Sequence, residues 1–512
     1  MKQVSTLLFA FFIITSSLHA QPGTIDSSFG VNGTVLRNNF PGAYQEVYSR
    51  FNGKILVARL ADTTAYITQY SNSGIPEKTI RLASVDIQGS YRVKKGTFHI
   101  IRANSDGKFF GAGDMFYLDE AVAFVARFNK DGSLDSSFAT NGVAQYTAGN
   151  FGHIVSLIVQ PDNKLLLSVL EIYDAVPEID IPGLIRYLPD GTRDSSFGAN
   201  GLVRNVMGHN SMQLQHDGKI ILGNGFRNIQ LSRRNRDGSL DSTFGKGGTA
   251  LINVPYVTSF SDNFYLVQLT IQSDNKILAI GKGSIDITAN YASCTRINAN
   301  GKLDKSFADN GFARTPLYAS STYIEPVRAV LQRDGKIIIG GKTGVYFPPT
   351  PDTSALLRLN RNGSLDRSFG NNGYVKYAYA AGFAMYDIAL QQDGKILTCG
   401  SQKHQMDGSL LAEHPYITRY NGDSINNAIV KTDAADLKPV GITINVHPNP
   451  AATVLRIYTK ENIVMFLTNS WGKIVWTGKV TGSTSINVSQ LPAGVYFLSS
   501  PKQVTQKIVI NH

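Results

Sequence analysis

Cysteine is nearly absent: Cys294 and Cys399 are the two in 512 residues. No disulfide framework can be built from them, so the fold must be held by its core, which a chain of this length can supply. Charge is sparse as well, at 17% of residues, while hydrophobic residues reach 42%. That balance excludes a disordered chain and fits a folded one rich in turns and strands, as do 48 glycines, 23 tyrosines and 26 phenylalanines. Beyond the N-terminus no run approaches the ~18 apolar residues that span a bilayer, so no transmembrane segment is expected in the mature chain. The usual catalytic signatures are missing too. No His pair stands at i, i+4 with a Glu, no Cys joins a His, and there is no G-x-S-x-G elbow, phosphate loop or dinucleotide fingerprint. The expectation is therefore no catalytic residues, no cofactor, no metal ligands and no enzyme.

The first twenty residues carry their own signal. Lys2 supplies a positive start, Leu7 to Thr15 an apolar core, and Ala20 a small residue before a cut at Gln21. Residues 1–20 thus read as a secretory signal peptide. The formal charge of +11 invites a nucleic-acid reading. Residues 445–512, however, hold Arg456, Lys460, Lys473, Lys479, Lys502 and Lys507 against Glu461 alone. With that excess and Lys2 set aside, little positive charge is spread over some four hundred residues, so no nucleic-acid partner is expected.

What is present is a repeat. One word, D-S-S-F-G, recurs at Asp26, Asp135, Asp194, Asp241, Asp304 and Asp366, with small variations. A second, D/N-G/N-K followed by an apolar residue, recurs at Asn52, Asp106, Asp162, Asp217, Asp274, Asp334 and Asp393. Asp-Gly or Asp-Asn between apolar runs is a hairpin signal, because those turns need positive φ. In the first word, Asp and Ser read as acceptors for the turn's own N–H groups, and Phe29, Phe138, Phe197, Phe244, Phe307 and Phe369 as apolar plugs between units. Recurrence in every unit argues against a metal or glycosidase-type site at these aspartates, since a catalytic group is needed once; calcium could also sit at Asp-rich turns, but local Asx-turn bonding explains them without an ion. Two eroded copies, Gln69 to Ile80 and Thr418 to Ile429, complete the rhythm at seven units. A spacing of 54 to 60 residues suits four short strands with generous loops, and closing seven such units into a ring protects their edges. Cys294 and Cys399 then fall in units five and seven, too far apart to bridge.

The ordered words N-x-D-G-S-L-D-S-S-F-G-x-N-G and Q-x-D-G-K-I-L-x-x-G resemble the delta-sixty repeat family of bacterial secreted and surface proteins, over about residues 23 to 430. That resemblance implies a β-propeller and no catalytic residues. The Trp-bearing Asp box of sialidase-type propellers is missing, since Asp131, Asp190 and Asp237 lack its Trp.

From Asn445 a different unit begins. Six short alternating strands are expected at Val454 to Tyr458, Ile463 to Thr468, Lys473 to Thr477, Ser485 to Val488, Val495 to Leu498 and Lys507 to Ile510. Pro448-Asn449-Pro450 at its entrance, Gly472-Lys473, Leu491 to Tyr496 with Gly494 and Tyr496, and Lys507 in the last strand are similar to the type A C-terminal sorting domain of type IX secretion in Bacteroidetes. That likeness implies the type IX machinery as partner and a secreted or outer-surface location.

The expected architecture is all-β: a signal peptide (1–20), a seven-bladed β-propeller (21–430), a linker (431–444) and a small Ig-like β-sandwich for sorting (445–512). The expected function is a secreted binding or scaffold propeller for an unknown glycan or protein; the alternative is a carbohydrate-active hydrolase or lyase with its site in the funnel. Two inward carboxylates near the axis favour the enzyme, and aromatics with amides favour binding. The loops Val257 to Phe264 and Tyr346 to Ser354 are the longest non-repeating ones, and hence the expected carriers of specificity.

Overall fold

The computed structural model describes residues 20–511 apart from 38–42, 50–52, 62–63, 89–92, 105–106, 118–119, 148–150, 174–178, 208–209, 256, 259–261, 286–288, 315–321, 346–352, 377–381, 406–410, 424–443, 470–473 and 501–502. The expected signal peptide and the expected linker lie outside them, except for Ala20 and Ile444. The described elements are all strands, and no helix among them is long and apolar enough to cross a membrane.

Seven four-stranded antiparallel sheets follow one another. Blades 1 to 6 each run as a simple meander; in blade 3 the strands are Phe151–Val159, Leu165–Tyr173, Ile179–Tyr187 and Leu202–Arg204. The first strands of neighbouring blades pack against one another, so they line the axis and the fourth strands lie outside. The strand that follows the D-S-S-F-G word, Leu202–Arg204 in blade 3, is the outer strand of the blade before the word, so each unit ends one strand later than the word itself. That shift explains how the ring closes. Blade 7 contributes Phe383–Leu390, Ile396–Gln405 and Leu411–Tyr420, and its fourth strand is Thr34–Leu36 from the start of the chain, paired Thr34 to Thr418. The eroded copy at Thr418 has no working word of its own because Asp26 to Gly30 takes that place.

Each first strand but that of blade 4 carries a bulge at the same place, marked by register shifts after Tyr44, Phe98, Ile154, Leu266, Pro326 and Met385. In four blades the opposing residue of the second strand is the repeat's glycine, at 113, 281, 341 and 400. A Cβ at Gly341 would lie 2.0 Å from the Glu325 carbonyl oxygen, and one at Gly400 would lie 1.9 Å from that of Ala384. Glycine is therefore demanded there by close backbone approach to the bulge.

The tail forms one five-stranded sheet of Ile444–His447, Val454–Asn469, Ile474–Asn487, Gly494–Ser500 and Gln503–Ile510. Four of the expected short strands merge into two long ones, which pair along most of their length through an irregularity between Thr459 and Ile463. Leu455, Ile457, Met465, Leu467, Val480, Ile486, Tyr496, Leu498 and Ile508 share one apolar core.

Candidate functional site

The repeated aspartates do more than shape their turns. In all six words Asp Oδ1 accepts from the N–H and the hydroxyl of the Ser or Thr two residues on, as expected. Oδ2, however, holds two cations that the sequence reading missed. One is an Arg on the third strand, and the other is the Lys of the hairpin word. In blade 3, Arg186 Nε lies 2.8 Å and Lys164 Nζ 3.1 Å from Asp194. The guanidinium also lies over the Phe of the word, 4.4 Å from the Phe197 centroid, and donates onward to the Arg236 carbonyl of blade 4. Phe197 is fully buried, and Gly238 of the next blade packs against its ring. Turn, ion pair and plug thus form one joint between blades. Burial works to raise the carboxyl, but Ser196, Lys164 and Arg186 outweigh it and hold Asp194 at about 2.

The eroded copy in blade 1 keeps a version of this joint without the arginine, in which Gln69 and Lys54 hold Glu77 and the buried Ile80 replaces Phe. The ring's last joint is made across the chain: Arg419 and Lys395 hold Asp26, each at 2.7 Å. Gln21, the first residue after the expected cut, belongs to the joint before it, its Nε2 donating to the Gly370 carbonyl of the Asp366 word at 2.6 Å. Ala20 and Gln21 are exposed.

The residue after each bulge stands on the innermost strand of its blade: Glu46, Ile100, Ser156, Gln268, Arg328 and Asp387, with Ser211 in the corresponding place of blade 4. Several of these reach the next blade. Ser211 accepts from Leu269 N at 2.9 Å, Gln268 from Ala329 N at 2.7 Å, and Asp387 from Val47 N at 2.9 Å. The two inward carboxylates of this belt are both occupied. Glu46 takes Arg102 and the Tyr48 hydroxyl, and Asp387 takes Arg328 Nε at 3.1 Å. Burial pushes Asp387 up to about 6, against the pull of Arg328.

Because every blade is a meander, its connections alternate between two ends. Both repeated words lie at one end. The non-repeating connections leave from the other, including those at 257–264 and 346–354. Of these two, Val257, Thr258, Asp262 to Phe264, Thr353 and Ser354 are described. Toward this second end lie side chains that break the repeat. His99 and His153, on the first strands of blades 2 and 3, flank Asp114 on the second strand of blade 2, with N to O distances of 2.7 and 2.6 Å. Burial works to raise the Asp114 carboxyl, but both histidines outweigh it and lower it, and in return Asp114 raises His153. Across blades 5 and 6, Glu325 bridges Lys282 at 2.6 Å and Lys342 at 3.3 Å. Between them, Phe226 and Tyr265 stand 55% and 47% exposed with ring centroids 5.4 Å apart. Backbone bonds from Arg227 N to Phe264 O and from Leu266 N to Gly225 O fix this pair, and the exposed Asn210 amide is bonded to the half-buried Asn224 amide on the same blade as Phe226. Between blades 3 and 4 an open groove of about 460 Å³ holds Arg204 and Arg234. Arg234 Nε is buried without a hydrogen-bond partner.

In the tail, Pro448, Asn449 and Pro450 are exposed, with cis bonds before both prolines. Asn449 Oδ1 accepts from Val509 N at 2.8 Å, and the buried Tyr496 donates its hydroxyl to the Pro492 carbonyl at 2.7 Å. Gly494 pairs with Ile510 and Lys507 with Phe497. The described sorting-motif residues thus gather on the entrance segment and around the last two strands, while Gly472 and Lys473 lie outside the described residues.

Two family models match this chain. Residues 445–511 match the secretion system C-terminal sorting domain. Residues 104–138, 272–307 and 332–369 match the "domain of unknown function (DUF5122) beta-propeller". The chain is a repeat β-propeller protein with a type IX secretion sorting tail. The tail marks this propeller for export to the cell surface or the medium, and implies a Bacteroidetes source. Solved structures similar to it include a protein of unknown function from Dyadobacter fermentans (11% identity, TM-score 0.37, 76% of this chain and 98% of that one). Virginiamycin B lyase from Staphylococcus aureus is similar at 13% identity and a TM-score of 0.38, over 75% and 98% of the two chains. The Nup133 β-propeller domain of Vanderwaltozyma polyspora is similar at 10% identity and 0.37, over 75% and 97%. No curated protein matches the chain in sequence.

Proposed function

We propose that the propeller is a non-enzymatic binding module that recognises a glycan outside the cell with the end bearing its non-repeating connections. The observation that carries this reading is the exposed Phe226–Tyr265 pair, held rigid by backbone bonds beside the amides Asn210 and Asn224. Aromatic faces stack on the C–H faces of sugars while amides bond their hydroxyls, and a preformed platform loses little entropy on binding. The axial carboxylates support the same side of the choice. Glu46 and Asp387 are each committed to an arginine and to neighbouring groups, an arrangement that stitches blades together.

The test is a screen of the protein purified from culture medium against immobilised bacterial and plant polysaccharides, with Phe226→Ala and Tyr265→Ala alongside. Retention of the wild type and at least tenfold weaker retention of either variant is expected, from about 1.4 kcal/mol of lost stacking. Release of new reducing ends from a retained polysaccharide would instead establish the hydrolase. Retention unaffected by both variants would move the site elsewhere.

A further inference from the structure

We infer that His99, Asp114 and His153 form a divalent transition-metal site at the channel end that bears the non-repeating connections, with three protein ligands and coordination positions left open to solvent. One ligand atom from each residue lies within 4.8 Å of the other two. Asp114 Oδ1 sits 2.7 Å from His99 Nε2, and Oδ2 sits 2.6 Å from His153 Nδ1, with the ring centroids 5.2 Å apart. Two imidazoles and a carboxylate suit zinc and its first-row neighbours better than magnesium or calcium, which prefer oxygen alone. Around such an ion the donors stand ~2.0 to 2.2 Å from the metal, so the cluster needs modest opening to admit it.

Burial favours the same reading. The Asp114 side chain is 1% exposed, whereas His99 and His153 are 33% and 40% exposed, so the carboxylate is fixed at the base and the imidazoles border solvent. An ion could enter from the channel and keep water on its open side, the layout of a site that exchanges ligands rather than a closed structural one.

The repeat supplies an internal control. At the positions corresponding to Asp114 the other blades carry Leu60, Leu170, Gly225, Lys282, Lys342 and Ser401. Those corresponding to His99 include Gln45, Val155, Val267 and Tyr386, and those corresponding to His153 include Tyr265, Glu325 and Ala384. Nothing in the blade's construction therefore calls for imidazole or carboxylate here. His99 is itself the bulged residue of its strand, left without a partner on the neighbouring strand, which frees its ring to turn toward Asp114.

The experiment titrates the full secreted protein, stripped with EDTA, with zinc chloride in a calorimeter, and with cobalt(II) by visible absorption. One equivalent of zinc and a cobalt spectrum bearing imidazole ligation are expected, with affinity falling at least 100-fold in His99→Ala, His153→Ala and Asp114→Asn. Phe226→Ala should leave zinc binding unchanged, which separates this site from the glycan reading. Circular dichroism and thermal melting identify any variant that has failed to fold, and His99→Gln, which retains a polar side chain, then replaces it. No stoichiometric zinc binding by the folded wild type overturns the inference. So does binding that survives all three substitutions, which would place zinc at surface histidines elsewhere.

Discussion

At the residue scale the molecule depends on a charge that every unit but one repeats. Asp190 and Asp194 stand four residues apart, and both accept from a hydroxyl two residues on. Only Asp194 also holds a buried Arg. Asp194→Asn keeps the turn's shape but leaves Arg186, 7% exposed, without its counter-charge, and should destabilise by about 3 kcal/mol. Asp190→Ala should remove less than about 1 kcal/mol. Urea denaturation of the two variants checks the contrast. The pH dependence follows from sign. The folded carboxyl of Asp194 titrates at about 2, below its unfolded value near 3.9, so its contribution is complete above pH ~4 and is lost as pH falls toward 2. Asp387 runs the other way. Raised to about 6, it contributes fully below pH ~4 and loses that contribution as pH rises through 6. Melting temperature against pH should therefore show both limbs, and Asp194→Asn should make only the acid one shallower, because the equivalent aspartates of the other five words are lowered as well.

At the element scale the unit is the bulged first strand with the glycine opposite it. Gly341→Ala would place a methyl 2.0 Å from the Glu325 carbonyl oxygen, so either the bulge straightens or the second strand moves off. Either motion displaces Arg328 from Asp387 and costs about 3 kcal/mol. Gly183→Ala, also within a strand, meets nothing nearer than 3.2 Å and should cost much less. The ratio of the two losses, read from denaturation midpoints, checks whether the bulge or glycine content matters. This element also shows how far sequence could reach. The hairpin words and the Phe plugs were legible because each is a local pattern with a local cause. Arg186 eight residues before Asp194, and its counterparts at 127, 233, 296 and 358, were equally regular, but their meaning depends on which strands face each other. His99 and His153 were illegible for a related reason. Metal-site spacings in sequence are those of one helix or one turn, whereas a propeller brings together residues a whole blade apart.

At the scale of the whole molecule, the tail and the ring can be tested separately. Removing 445–512 should abolish appearance of the propeller at the surface or in the medium while the protein remains detectable inside the cell, as fractionation and immunoblotting would read. Secretion of the truncated chain would defeat the sorting role.

The ring itself is closed by its earliest residues on its latest blade. Asp26 meets Arg419 across 393 positions, and Thr34–Leu36 completes the sheet begun at Phe383. Closure must therefore come after nearly the whole propeller has been made, and it couples blade 7 to blade 1 through Asn72, whose backbone oxygen also accepts from Arg419. Deleting 21–37 while keeping residues 1–20 removes the outer strand of blade 7, the carboxylate under Arg419 and Lys395, and the Phe29 plug together. Blade 7 is then left with an open edge and a buried, unpaired guanidinium, and the cooperative unit should shrink. A lower denaturation midpoint and a smaller urea m-value are expected, because less surface is buried in one transition. An m-value equal to that of the full chain would mean that the ring coheres without its N-terminal strand, through the axial belt of first strands alone. Arg419→Leu in the intact chain separates the contributions. It removes the buried charge but keeps the closing strand, so it should lower the midpoint while leaving the m-value in place.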